Sequence, residues 1–279
     1  MSTIKTQLII NRPEGSLDFE LAKFKKTAPR VLITGAGGSI GQEVQNKLKI
    51  MDVNHLVTDI NELDVTNIES VNNVFGKYRP THVLHLAADK HAPAGEEDPE
   101  RTIAININGT QNIVNSGLSY QSQVILSSTC KACDPETVYG ASKLIAERLV
   151  LNAGGRVARL FNVVETSGNV FEIWRDTGDT DDLVVTPCFR YFITLDEAVS
   201  LVLRVLTIQD NGRGGRYIFH PGEKQSMYEI AKRLYPDRKH LRFPPRRGDR
   251  VEEPLTASCE EIKHVEGNLY SVHSPHDMK

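Results

Sequence analysis

The chain has 279 residues, 39% of them hydrophobic and 25% charged, with a formal net charge of −3. That length holds one large α/β domain, with or without a smaller appendage, and the near-balanced charge offers no general pull on nucleic acid. No apolar run approaches the roughly 20 residues that cross a bilayer, and the opening MSTIKTQLIINRPEG lacks the apolar core of a signal peptide, so a cytoplasmic protein without a membrane partner is expected.

Residues 1–29 show no strong period and read as an arm packed on the domain that follows. From Arg30 onward, short β-branched runs alternate with stretches of helical period. VLIT (31–34) is a strand followed by a helix from Ser39, and HLVTD (55–59) a strand followed by a helix from Asn67. HVLHLA (82–87), VILSS (124–128) and RVARLF (156–161) continue the strands, separated by helical stretches near 98–118 and 138–152. Five strand–helix alternations predict a Rossmann-type, doubly wound parallel sheet with helices on both faces, here over residues 30–163. The pattern then loosens through the Gly/Asp-rich DTGDTDD (176–182) into a helix near 195–206, a strand at 216–220 and a helix near 226–234. Residues 164–279 are therefore expected to form a smaller substrate-binding lobe over the C-terminal edge of the sheet, with about 190–220 returning to it.

After the first strand, Gly35-Ala36-Gly37-Gly38-Ser39-Ile40-Gly41 forms G-x-x-G-x-x-G at the start of a helix. Glycines at 35, 38 and 41 permit a tight turn and close approach of the backbone to a pyrophosphate, with the N–H groups around Ser39 and Ile40 aimed at it. Asp59 ends the second strand, where a carboxylate accepts hydrogen bonds from a ribose diol and repels a 2′-phosphate, so NAD is expected before NADP. Asp64 and Val65 lie in LDVTN, which resembles the segment that meets the adenine in many extended dinucleotide enzymes of this type, and Ala87 and Ala88 supply small side chains beside the cofactor after the third strand.

Tyr139-Gly140-Ala141-Ser142-Lys143 is a Y-x-x-x-K on a predicted helix, which sets the phenol and the ammonium on one face one turn apart. A neighbouring ammonium favours the phenolate, so Tyr139 is expected to remove a hydroxyl proton while hydride leaves the same carbon, and Thr129 is placed to hold the substrate oxygen. Of the four cysteines, Cys130 and Cys133 form a C-x-x-C, but a zinc site needs two more ligands and Cys188 and Cys259 are isolated, so no metal is expected.

In ordered blocks the chain resembles the extended short-chain dehydrogenases of polysaccharide biosynthesis, especially the CapD-like UDP-N-acetylhexosamine 4,6-dehydratases. The blocks are NRPEGSLDFE (11–20), TGAGGSIG (34–41), AADKHAP (87–93), NINGTQN (106–112), FNVVETSGNV (161–170), RYFITLDEAVSLVL (190–203) and PRRGDRVEEPL (245–255). The resemblance implies an enzyme that acts on a nucleotide-linked sugar, and a homo-oligomer is expected. It implies that Lys143 also meets the nicotinamide ribose, that Lys90 and His91 border the sugar, and that Asn162, Arg190 and Arg246 approach the anionic substrate. It further implies oxidation at carbon 4, with Lys131 as the base at carbon 5. Where the family carries S-T-D-K-A, with the aspartic acid protonating the departing oxygen of carbon 6, this chain has Ser128-Thr129-Cys130-Lys131-Ala132. The net reaction is thus expected to be dehydration or epimerisation, with an NAD(P)H-dependent 4-keto-sugar reductase as the alternative and a dinucleotide-sensing regulator as the non-enzymatic one.

Overall fold

The structure, a computed structural model, describes residues 3–12, 17–178, 182–209 and 214–277. Parts of the predicted arm and of the Gly/Asp-rich stretch 176–182 lie outside the described residues. The first half runs α1 (Thr3–Gln7), α2 (Asp18–Lys25), β1 (Val31–Thr34), α3 (Ser39–Ile50), β2 (His55–Thr58), α4 (Ile68–Tyr78) and β3 (His82–His85). It continues with α5 (Ala92–Glu97), α6 (Pro99–Ile103), α7 (Thr110–Ser119), β4 (Gln123–Thr129), α8 (Val138–Asn152) and β5 (Arg156–Leu160). The second half holds β6 (Asn162–Val163), α9 (Val170–Asp176), β7 (Leu183–Val185), β8 (Phe189–Arg190), β9 (Phe192–Ile193) and α10 (Leu195–Thr207). After them come β10 (Gly215–Phe219), β11 (Gln225–Ser226), α11 (Met227–Leu234), β12 (His240–Arg242), β13 (Glu261–Glu266) and β14 (Leu269–His273).

The central sheet has eight strands in the order β13-β14-β10-β5-β4-β3-β1-β2. The six from β2 to β10 pair in parallel, and β14 and β13 join antiparallel. The doubly wound prediction therefore holds, with one refinement. Strand order reverses between β1 and β3, because the chain carries a single strand outside β1, and the C-terminal ends of those two strands form the crevice where such sheets bind ligands. The closing hairpin β13–β14 was not foreseen: its strand β13, exposed at every position but the half-buried Ile262, carries no apolar alternation.

Two apolar layers cover the sheet. Leu21 and Phe24 of α2, Val44 and Leu48 of α3 and Val199, Leu203 and Leu206 of α10 bury one face. Val71 and Phe75 of α4, Ile113 of α7 and Ala146 and Val150 of α8 bury the other. A third cluster, with Phe171, Trp174, Leu183, Val185 and Ile230, is the core of the smaller lobe, and Ile9 and Ile10 insert into it. The arm thus serves both cores, and the Arg12 guanidinium ties it down on Glu197 at 2.8 Å. Glu197 closes the capping box of α10 with Thr194. No helix among the described residues is long and apolar enough to cross a membrane.

Candidate active site

The glycine turn joins β1 to α3 beside β3. Gly35 has φ +68°, and a Cβ there would lie 2.6 Å from the Ala87 backbone nitrogen, so only glycine permits this approach. Gly38 is the N-cap of α3 and offers no side-chain cap to the first-turn N–H groups. A Cβ at Gly38 meets nothing closer than 3.6 Å, so the space before the helix start is open. An uncapped helix N-terminus with no side chain in front of it fits a phosphate. Asp59 stands beside this turn, its Oδ2 accepting the Gly37 N–H at 2.7 Å.

The turn opens into a cavity of ≈ 260 Å³. Of the residues singled out in the sequence, Gly35, Gly38, Ser39, Ile40, Gly41, Ala88, Lys90, Thr129, Lys131, Tyr139, Lys143 and Asn162 line it. Ala87 lies behind Gly35. Asp64 is turned into its own loop, accepting from the Thr66 N–H and hydroxyl, and Val65 packs against Gly109. His91 is exposed, with Gly168 against its ring, and Arg246 is exposed and paired with Asp249 at 3.0 Å. Lys90 Nζ donates to the Ser167 carbonyl at 3.3 Å, and the Ser167 N–H reaches Ser39 Oγ at 3.4 Å, so the 166–169 segment spans the glycine turn.

Tyr139 and Lys143 sit on one face of α8, as their spacing predicts, and both are buried. Gly140 lets this helix abut the turn that carries Lys131: a Cβ there would lie 2.4 Å from the Lys131 carbonyl oxygen. Lys143 Nζ donates to the Ser127 carbonyl at 2.8 Å. Burial lowers the Lys143 pKa to about 8, with the Glu147 carboxylate opposing. The expected activation of Tyr139 is corrected by the structure. Burial pushes the phenol up to about 12, the charge that opposes this is Lys131, and the Thr129 side chain lowers it by a smaller amount.

The largest departure concerns Cys130. Its thiol is fully buried, does not line the cavity, and donates to Glu253 Oε2 at 3.3 Å. Burial, reinforced by the Glu253 charge, pushes the thiol well above the usual range, so it is a poor stand-in for a carboxylic acid. Glu253 was quoted only within a motif, yet it is the hub of the site. It is fully buried, accepts from Asn162 Nδ2 at 2.6 Å, and faces Lys131 Nζ at 2.7 Å and Arg190 Nε at 3.1 Å through Oε1. Arg190 is accordingly turned to Glu253 and to the Phe189 and Val251 carbonyls, behind the cavity wall. Burial alone would raise the Glu253 pKa, but Lys131 and Arg190 outweigh it and bring it to about 2.

Asn106 is a second residue that sequence reasoning passed over. It lies in a π-helical turn, residues 104–109, and is 1% exposed. Its side chain accepts the Asp89 N–H at 2.8 Å and donates to the Asp89 carbonyl and to Ser142 Oγ, clamping the Lys90 loop onto α8. The NINGTQN block was the available signal.

A family sequence model described as "Polysaccharide biosynthesis protein" matches residues 60–274. The capsular polysaccharide biosynthesis protein CapD of Staphylococcus aureus is 28% identical over 270 residues, which cover 84% of this chain and 45% of that protein. The UDP-N-acetylglucosamine 4,6-dehydratase (inverting) of Campylobacter jejuni is 28% identical over 69% of this chain and 61% of its own length. The chain thus spans about half the length of CapD, and less than two thirds of the dehydratase. Among solved structures, a dTDP-4-dehydrorhamnose reductase from Clostridium acetobutylicum superimposes with a TM-score of 0.70 at 25% identity, covering 80% of this chain and 89% of that one. The UDP-glucose 4-epimerase of Thermus thermophilus, solved with NAD, shares the fold with a TM-score of 0.70 at 22% identity, over 81% of this chain and 90% of that one.

Proposed function

Because the chain belongs to the polysaccharide biosynthesis protein family, we propose that it binds NAD, with NADP as the weaker alternative, and modifies a nucleotide-linked sugar by hydride transfer at carbon 4, with a UDP-N-acetylhexosamine as the first candidate. The observation that carries this reading is one cavity lined by the glycine turn, by Tyr139 and by Lys143. The dinucleotide supplies a hydride acceptor or donor when bound. Its pyrophosphate belongs at the open start of α3, and Asp59, at the end of β2 beside the turn, suits a ribose diol better than a 2′-phosphate. Thr129 and Tyr139 hold the substrate oxygen, and Tyr139 carries the proton that moves as hydride is exchanged. Lys143, anchored on the Ser127 carbonyl, keeps a positive charge one helical turn away. Lys90 offers a cation to an anionic ligand on the remaining wall, whereas both Asn162 N–H donors are already taken by the Tyr191 carbonyl and Glu253.

A 4-keto-sugar reductase is the second reading, and one observation favours it. A dTDP-4-dehydrorhamnose reductase superimposes on 80% of this chain at 25% identity, and the phenol of Tyr139 in the cavity is a group that can donate to a carbonyl oxygen. Incubating a panel of UDP- and dTDP-sugars with and without NAD(H), and weighing the products, separates the two. Transient oxidation consumes no cofactor, whereas reduction consumes one reduced dinucleotide per sugar. The proposal fails if no nucleotide sugar changes under either condition. A homo-oligomer in the cytoplasm remains the expected setting, and size-exclusion chromatography with light scattering tests the assembly.

A further inference from the structure

Expelling water from a sugar oxidised at carbon 4 needs two groups besides the hydride acceptor. A base must remove the proton on carbon 5, and an acid must protonate the departing oxygen of carbon 6. Among the described residues, the titratable side chains lining the cavity are Lys90, Lys131, Tyr139 and Lys143, and none is a carboxylic acid. The carboxyl group behind this wall, Glu253, is closed off by Cys130, Asn162, Lys131 and Arg190. With two cations against it, Glu253 is an anion and has no proton to give. The base is equally compromised. Burial acts to lower the Lys131 pKa, but the Glu253 charge overcomes it and raises it above the ordinary lysine value. Lys131 Nζ has three donors: one goes to Asn162 Oδ1 at 3.0 Å, one faces Glu253, and the third is left for the cavity that the residue lines.

We propose that Glu253 is a positioning residue that fixes Lys131 as a permanent ammonium donor on the cavity wall, so that the protein exchanges hydride at carbon 4 and leaves the oxygen of carbon 6 in place. The inference rests on the nucleotide-sugar reading above and narrows it to epimerisation or keto-group reduction. In both, one hydride and one proton are exchanged at carbon 4 and its oxygen. The dinucleotide takes or gives the hydride, Tyr139 takes or gives the proton, and no carbon–oxygen bond breaks. Lys131 hydrogen-bonds a substrate oxygen and transfers no proton.

Two measurements on the intact protein test this separately from its parent reading. The first is an NMR pH titration of the Lys131 amine without substrate, the signal assigned by its loss in Lys131→Arg. The wild-type amine is expected to stay protonated past the ordinary lysine value of about 10.4. In Glu253→Gln its midpoint should fall by about one unit or more, because burial then acts unopposed, and Glu253→Asp should restore the wild-type behaviour. The second is the mass of the products formed from UDP-N-acetylglucosamine with NAD and from a dTDP-4-keto sugar with NADH. They should match the substrate or exceed it by two hydrogens. A wild-type product one water lighter than the substrate overturns the proposal, as does an amine midpoint that is equal in wild type and Glu253→Gln. If Glu253→Gln does not fold, deprotonation of the wild-type amine below about pH 10 overturns it alone. Absence of any turnover sinks the parent reading and the chemistry built on it, while the titration still decides what Glu253 does to Lys131.

Discussion

Removing the oxygen from Tyr139 isolates proton transfer from binding, because the ring still fills its buried position on α8. Tyr139→Phe should lower turnover about 100-fold or more and leave dinucleotide affinity nearly unchanged. Steady-state kinetics paired with calorimetry checks this, and wild-type turnover in the variant would remove Tyr139 from the chemistry. The glycines of the turn divide by what surrounds them. At Gly35 any side chain runs into the Ala87 backbone and a positive φ, so substitution there harms the fold itself. At Gly38 the space is open, so Gly38→Val should fold with an unchanged circular dichroism spectrum, lose some stability because valine is a poor N-cap, and bind NAD at least ten-fold more weakly, about 1.4 kcal/mol. Equal affinity by calorimetry would move the pyrophosphate away from this helix start.

The helix α8 carries more than the Tyr139/Lys143 pair. Tyr139, Lys143 and Glu147 follow one another at four-residue spacing, and the third is an anchor. Glu147 is fully buried between Arg159 of β5 and Arg216 of β10, both at 2.7 Å, and those guanidiniums also reach Glu260 and Asp277 near the β13–β14 hairpin. One ionic cluster thereby joins α8, two strands of the central sheet and the C-terminal segment. Removing one partner of a buried pair leaves uncompensated charge behind, so Glu147→Ala should cost about 3–5 kcal/mol in denaturant unfolding. A loss under about 1 kcal/mol would show that Glu260 and Asp277 alone satisfy both arginines. Burial would raise the Glu147 pKa, but Arg159 and Arg216 bring it to about 2. Its stabilising share is therefore present above the ordinary value of 4.5 and is lost as pH falls through about 2.

At the scale of the whole molecule, two histidines set an earlier acid limit. Burial lowers His85 to about 3 and His82 to about 4, with Lys143 and Arg156 respectively adding to the effect. His85 bridges Thr34 of β1 at 2.8 Å and Thr110 of α7 at 3.0 Å, at the centre of the sheet. The unfolded chain binds protons at these positions below about 6.5 while the native protein does not, so stability should decline as pH falls from 6.5 toward 4. Between pH 6.5 and 4.5 the histidines lower stability while Glu165, raised above 4.5 by burial, titrates in the opposite sense, and the Glu147 loss adds only below that. Urea midpoints at pH 7, 5.5 and 4.5 check the order, and a midpoint constant down to pH 4.5 would show that neither imidazole is protected from water. What the sequence determined by itself was local: the strand–helix alternation, the glycine turn after β1 and the Tyr139/Lys143 spacing each rest on periods of two to seven residues, which short-range geometry imposes wherever the chain folds. The tertiary structure alone decided the strand order that places β1 beside β3, the hairpin that closes the sheet, the burial that holds Tyr139 protonated, and the meeting of Glu253 with Cys130 across 123 positions. Those depend on which distant groups share one dry interior, since desolvation and charge pairing are summed over neighbours in space and leave no period in the sequence.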